Sequence, residues 1–136
     1  MAYMTLPIYN IDAAVGGRKV NRSDDVRLVQ ALLNAVAATD QGWAPLTPLP
    51  IDGAFTENLH AWILAFQQRS ARQNPGKVVT DGVVDPIPMH GSQNWDSKFS
   101  GGAWSVMYGL NYRSWKGNRQ YHLALGERLN LRDGRD

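Results

Sequence analysis

The chain reads as mainly α, a small bundle of three helices with long loops and an aromatic C-terminal extension. Three observations predict this. Two segments place apolar residues at helical spacing: Val26, Val29, Leu32, Leu33 and Val36, then Leu59, Trp62, Ile63 and Phe66. Two Asp-Gly pairs, Asp52-Gly53 and Asp81-Gly82, punctuate the chain as tight turns. A third segment carries Trp104, Met107, Tyr108, Asn111, Tyr112 and Trp115 on one helical stripe, with Asn111 as its single polar member.

At 136 residues the chain is expected to form one domain over 1–136, and its 43% hydrophobic content is enough for a core. Residues 1–22 look extended, with a Gly16-Gly17 turn. Asn21 or Ser23 can cap helix one, and Asp24 and Asp25 suit its positive end. Thr39-Asp40-Gln41-Gly42 ends that helix. The segment from Ala38 to Pro50 is rich in loop signals, with Trp43 among Pro45, Pro48 and Pro50.

Asp52-Gly53 then turns the chain, Phe55 is a buried aromatic, and Thr56 caps helix two, which spans about 57–72. Asn74-Pro75-Gly76 stops it. After Asp81-Gly82, the prolines Pro86 and Pro88 with Gly91 block an immediate helix. The third helix is expected over about 101–115, started by Ser100 or the Gly101-Gly102 pair and ended by Lys116-Gly117-Asn118. Residues 121–131 fit either a short helix or an extended strand, since Leu123, Leu125, Leu129 and Leu131 match neither period. The end from Arg132 frays. Beyond the paired Asp-Gly turns no internal repeat is visible.

The order of these motifs is informative. A helix with Val29-Gln30-Ala31-Leu32-Leu33-Asn34 precedes Asp52-Gly53-Ala54-Phe55. A helix ending in Ala65-Phe66-Gln67 precedes Asp81-Gly82-Val83-Val84. Residues 20–88 thereby resemble the type 1 peptidoglycan-binding-like domain, a three-helix module. Residues 89–136 lie outside the resemblance as an extension supplying the further helix. The chain departs from the family pattern in having Thr56-Glu57 where Gly-Pro is usual, in its insertion before Asp52, and in Pro86 and Pro88 after the second turn. The resemblance implies a ligand class, bacterial cell-wall peptidoglycan or its stem peptides. Asp52, Gly53, Phe55, Asp81 and Gly82 are then the structural turn motif.

Catalytic sets are poorly supplied. The three histidines, His60, His90 and His122, are far apart in sequence and form no metal-ligand pair. Only His90, His122 and Asp96 remain as a spatial alternative. Asp52 and Asp81 are explained by their turns and Glu57 by the helix dipole, which leaves Glu127 as the only other glutamate. A glycosidase needs two carboxyls across a cleft, so this supply argues against one. No nucleophile elbow, phosphate loop or dinucleotide signature occurs. No cysteine is present, which excludes disulfides and thiolate metal sites. The reading is therefore of a non-enzyme without metal or cofactor.

Binding is better supplied. Trp43 in its proline-rich loop offers a ring to a sugar face, and Asn58, Gln67 and Arg69 on helix two offer polar partners. Trp95 lies in an Asn-rich stretch. The alternative for Trp43 is a lid over the core. Net charge is only +2, but Lys98, Arg113, Lys116, Arg119, Arg128 and Arg132 face Glu127 alone between positions 98 and 132. Such a patch suits anionic polymers. A basic cluster without a recognised motif is a weak nucleic-acid footprint, so nucleic acid is set aside. The aromatic extension could instead dock a protein partner.

Three functions are therefore carried forward: a non-catalytic cell-wall binding module, an interaction or structural adaptor in a phage or contractile injection (type VI-like) apparatus, and a small cell-wall hydrolase. The start of the chain has no basic residue and no long apolar run, so no Sec-type signal peptide is read there, and no segment is long enough to span a bilayer. The chain is expected to be made in the cytoplasm and to reach a wall, if it does, by lysis or an injection machine.

Overall fold

The computed structural model describes residues 8–40, 42–87, 99–100 and 103–129, with the backbone alone at 99–100 and 103–104. Four helices appear among them: α1 (Ser23–Thr39), α2 (Glu57–Gln73), α3 (Val106–Gly117) and α4 (Arg119–Arg128). A two-residue antiparallel pair, β1 (Phe99–Ser100) with β2 (Ala103–Trp104), precedes α3. The mainly helical class and the small bundle stand. His90, Trp95, Asp96 and the chain ends named above lie outside the described residues.

Helix α1 is the hub. It packs against α2, α3 and α4, and its Leu28, Val29, Leu32, Leu33 and Val36 are buried in the core. The same core takes Leu59, Trp62, Ile63 and Phe66 from α2, Met107 and Leu110 from α3, and Leu125 from α4. The extended segment 8–15 supplies Ile8, Tyr9, Ile11 and Val15. Val15 bridges to Val84 in both directions, its N–H donating to Val84 O at 3.0 Å and Val84 N–H donating back at 2.8 Å.

Several local expectations change. Arg22 is the N-cap residue of α1 and gives no side-chain cap. Asn21 instead sits at φ 54°, where its amide grips Gly16 from both sides. Asp25 is buried and accepts the N–H groups of Asp12 and Ala13, both at 3.0 Å. Helix α2 starts as expected, with Thr56 Oγ1 accepting from Leu59 N–H at 3.1 Å.

Helix α3 begins later than the pattern suggests. Ser105, not Ser100 or the glycine pair, caps it by accepting Tyr108 N–H at 3.1 Å, and Trp104 falls in β2. Its buried face is Met107, Leu110, Asn111 and Ser114, while Tyr108, Tyr112 and Trp115 are half-buried at its edge. The ambiguous 121–131 segment forms α4. Asn118 makes the corner, ending α3 and capping α4 through Tyr121 N–H.

Candidate functional site

Key amides of the first two helices are committed inward. In α1, Gln30 is buried, and its Oε1 accepts Asp52 N–H at 3.0 Å and Gly53 N–H at 2.9 Å. Its Nε2 donates to Asp52 Oδ1 and Ala54 O. In α2, Gln67 repeats the device on the second turn. Its Oε1 accepts Gly82 N–H at 2.8 Å, and its Nε2 donates to Val83 O at 3.0 Å and Asp81 Oδ1 at 3.3 Å. Each turn needs its glycine, because φ is 79° at Gly53 and 75° at Gly82. The helix–glutamine–turn unit is thus a repeat whose second member is visible only in three dimensions.

The four residues expected to touch ligand are placed as follows. Gln67 is 0% exposed and fully occupied by the Asp81-Gly82 turn, so it serves the fold rather than a surface site. Arg69 is 8% exposed and pairs with Asp40, with Nη1 donating to Gln73 at 3.3 Å. Trp43 is 9% exposed and meets Trp62 and Phe66 edge-on, with centroids 5.8 and 5.6 Å away. It acts as the lid over the core, the alternative weighed from sequence. Asn58 is half-buried and donates to Pro48 O at 2.9 Å.

Asn34 and Trp62 hold the same loop by donating to Leu49 O and Thr47 O. These contacts turn the proline-rich insertion into a strap fastened to α1 and α2. Its tip, Leu46, is 100% exposed. The turn-motif residues stay together in their turns, and Phe55 is half-buried, edge-on to His60 with centroids 6.4 Å apart.

Electrostatics follow the same geometry. Asp52 is held below the ordinary carboxylate value, chiefly by the N–H of Ala54 and then by the Gln30 amide, with slight burial opposing. Asn111, the polar break in the α3 stripe, clamps Tyr9: Oδ1 accepts Tyr9 N–H at 2.7 Å and Nδ2 donates to Tyr9 O at 2.8 Å. His122 is buried, with Nδ1 3.0 Å from Ser114 Oγ and its ring tilted against Tyr9. Sequence reading had no signal for that pair, because the partners come from two helices. Both are 0% exposed, so no substrate reaches them in this structure. Among the described residues no group of three or more His, Asp or Glu gathers to hold a metal, and no helix is long and apolar enough to cross a membrane.

The outward chemistry lies on α3 and α4. Arg119 Cζ sits 4.5 Å from the Trp115 ring centre, and Arg128 Cζ 5.1 Å from that of Tyr121. Lys116 Nζ and Arg113 Cζ lie 5.7 and 5.9 Å from the Tyr112 ring. All are within cation–π range. From Val106 to Arg128 there are four cations and one acid, a net of +3. The ion pairs among the described residues lie elsewhere, at Arg22–Asp12, Arg27–Asp24 and Arg69–Asp40. The sequence shows this charge excess. The stripe read from sequence places Tyr112 and Trp115 in the core, and Tyr121 lies outside it.

Comparison with known proteins finds no match: no protein family, no curated protein and no solved structure matches this chain.

Proposed function

We propose that this chain is a non-catalytic binding module for bacterial cell-wall peptidoglycan or its stem peptides. One observation carries the reading. The unit of helix, inward glutamine and clamped Asp-Gly turn occurs twice in the order on which the resemblance to the type 1 peptidoglycan-binding-like domain rests, at Gln30 with Asp52-Gly53 and at Gln67 with Asp81-Gly82. The motif residues shared with that family therefore have a common physical task, which makes a chance match of short motifs a poorer explanation. A fold does not fix a ligand, so the ligand has to be tested at the surface. The test is sedimentation with purified sacculi at low salt. Retention in the pellet is expected, and protein that stays in the supernatant overturns the proposal. Soluble fragments released in the same incubation would instead select the hydrolase.

A second reading, an interaction or structural adaptor in a phage or contractile injection apparatus, is favoured by the strap. A fully exposed leucine sits on a loop fastened by Asn34, Asn58 and Trp62, an apolar side chain held out on an anchored loop. A stable complex on co-purification, with no affinity for sacculi, would select this reading.

A further inference from the structure

Resting on the wall-binding reading, we infer that the ligand is engaged by the cation-and-ring surface of α3 and α4, and that the chemistry recognised there is a carboxylate-bearing glycopeptide. Trp43, Gln67 and Arg69, three of the ligand contacts expected from sequence, are spent on the fold. On α3 and α4 the situation is reversed. Lys116, Arg119 and Arg128 are exposed and, among the described residues, have no carboxylate partner.

The rings make these cations more than a solvated fringe. Stacking on Trp115 restricts the Arg119 guanidinium, and Tyr121 does the same for Arg128, so less side-chain freedom is lost when a planar anion binds. Guanidinium edges match carboxylates by paired N–H donors. The half-buried rings of Tyr112, Trp115 and Tyr121 add apolar surface beside the cations, against which C–H groups of a sugar can pack. Stem peptides supply the carboxylates and the glycan strand supplies the sugar faces, so one polymer satisfies both halves of the surface. The rest of the described chain offers no such match, since residues 8–87 carry seven cations and eight acids.

The test uses the full chain and sacculi stripped of attached anionic polymers. A triple variant, Lys116→Gln, Arg119→Gln and Arg128→Gln, is compared with a charge-matched control, Lys19→Gln, Arg72→Gln and Lys77→Gln, whose sites are also exposed. All six positions are on the surface, so both variants are expected to keep the helical circular dichroism of the parent. The first triple should weaken retention by about tenfold or more, the size expected from losing charge-assisted hydrogen bonds, while the control binds as the parent does. Converting the wall carboxylates to amides should weaken the parent to the same extent.

Equal binding by both triples, with the parent still pelleting, overturns the α3–α4 assignment and leaves the wall reading standing. Undiminished binding to amidated sacculi overturns the carboxylate. Competition by duplex DNA at the same charge concentration, as effective as by soluble stem peptide, reduces the surface to a general polyanion binder and also overturns it. A parent that fails to pellet removes the wall reading itself.

Discussion

The two halves of the molecule use polar side chains in opposite ways. Between Ser23 and Ile87 several amides and acids hold the fold: Gln30 and Gln67 hold turns, Asn34 and Asn58 hold the strap, Asp25 holds the N-terminal segment, and Asp40 neutralises Arg69. On α3 and α4 the single deeply committed amide is Asn111, and the cations stand outside over aromatic rings. The first region spends its polarity on holding an irregular backbone in place. The second has two regular helices joined at Asn118, whose backbone groups are largely satisfied by the helices themselves; Arg113 donates to Gln73 at 3.1 Å, and Lys116, Arg119 and Arg128 remain available to a partner. Changes in the first region should cost stability, and changes in the second should cost binding.

The sharpest way to break this contrast is to remove the glutamines. Gln30→Ala should destabilise the protein by about 3 kcal/mol, because two part-buried backbone N–H groups lose their acceptor. Gln67→Ala should cost somewhat less, with one N–H orphaned at Gly82. Urea denaturation measures both, and a loss under about 1 kcal/mol for either would show that water replaces the clamp.

The glycines refine the same point. Gly53→Ala should cost about 2–3 kcal/mol, since strain at positive φ adds to a new Cβ 2.4 Å from Ser23 Oγ and 3.1 Å from its carbonyl oxygen. Gly76→Ala, at φ 77° with open space around it, should cost only the backbone strain of about 1–2 kcal/mol. Equal thermal shifts for the two would deny that the first turn is packed against α1.

In the second region Arg119→Gln should lower stability by no more than about 1 kcal/mol, the worth of an exposed cation–π contact. A larger loss by thermal melting would make that stack part of the fold instead of the binding surface.

The smallest effect is electrostatic. Asp52 titrates lower in the folded chain than in the unfolded one, so its stabilisation is complete above the unfolded value near about 4 and is lost as pH falls through the folded value. The melting-temperature advantage of the parent over Asp52→Asn should therefore shrink as pH drops from about 5 toward 3. An advantage that stays constant over this range would place the carboxylate outside the clamp.

The local parts of the fold were legible. Thr56 as a cap, the apolar stripe of α2, the stop at Asn74 and the glycine turns all depend on neighbours within a few residues. The start of α3 was not, because Ser100 and Ser105 are both plausible caps and the β1–β2 pairing decides between them. The buried stripe of α3 is narrower than its periodicity suggests. Periodicity ranks Tyr112 and Trp115 with Met107, but the core accepts the smaller Leu110 and Ser114, and the large rings remain at the boundary beside the cations.

What the sequence determined by itself was a helical chain with two glycine turns, a proline-rich loop and a cationic C-terminal third. What tertiary structure alone decided was where each polar side chain points. Gln30 reaches 22 residues ahead, and Asn111 reaches back 102 residues to Tyr9. A buried amide takes whichever unpaired backbone group the packing brings to it, and that neighbour has no signature in local spacing.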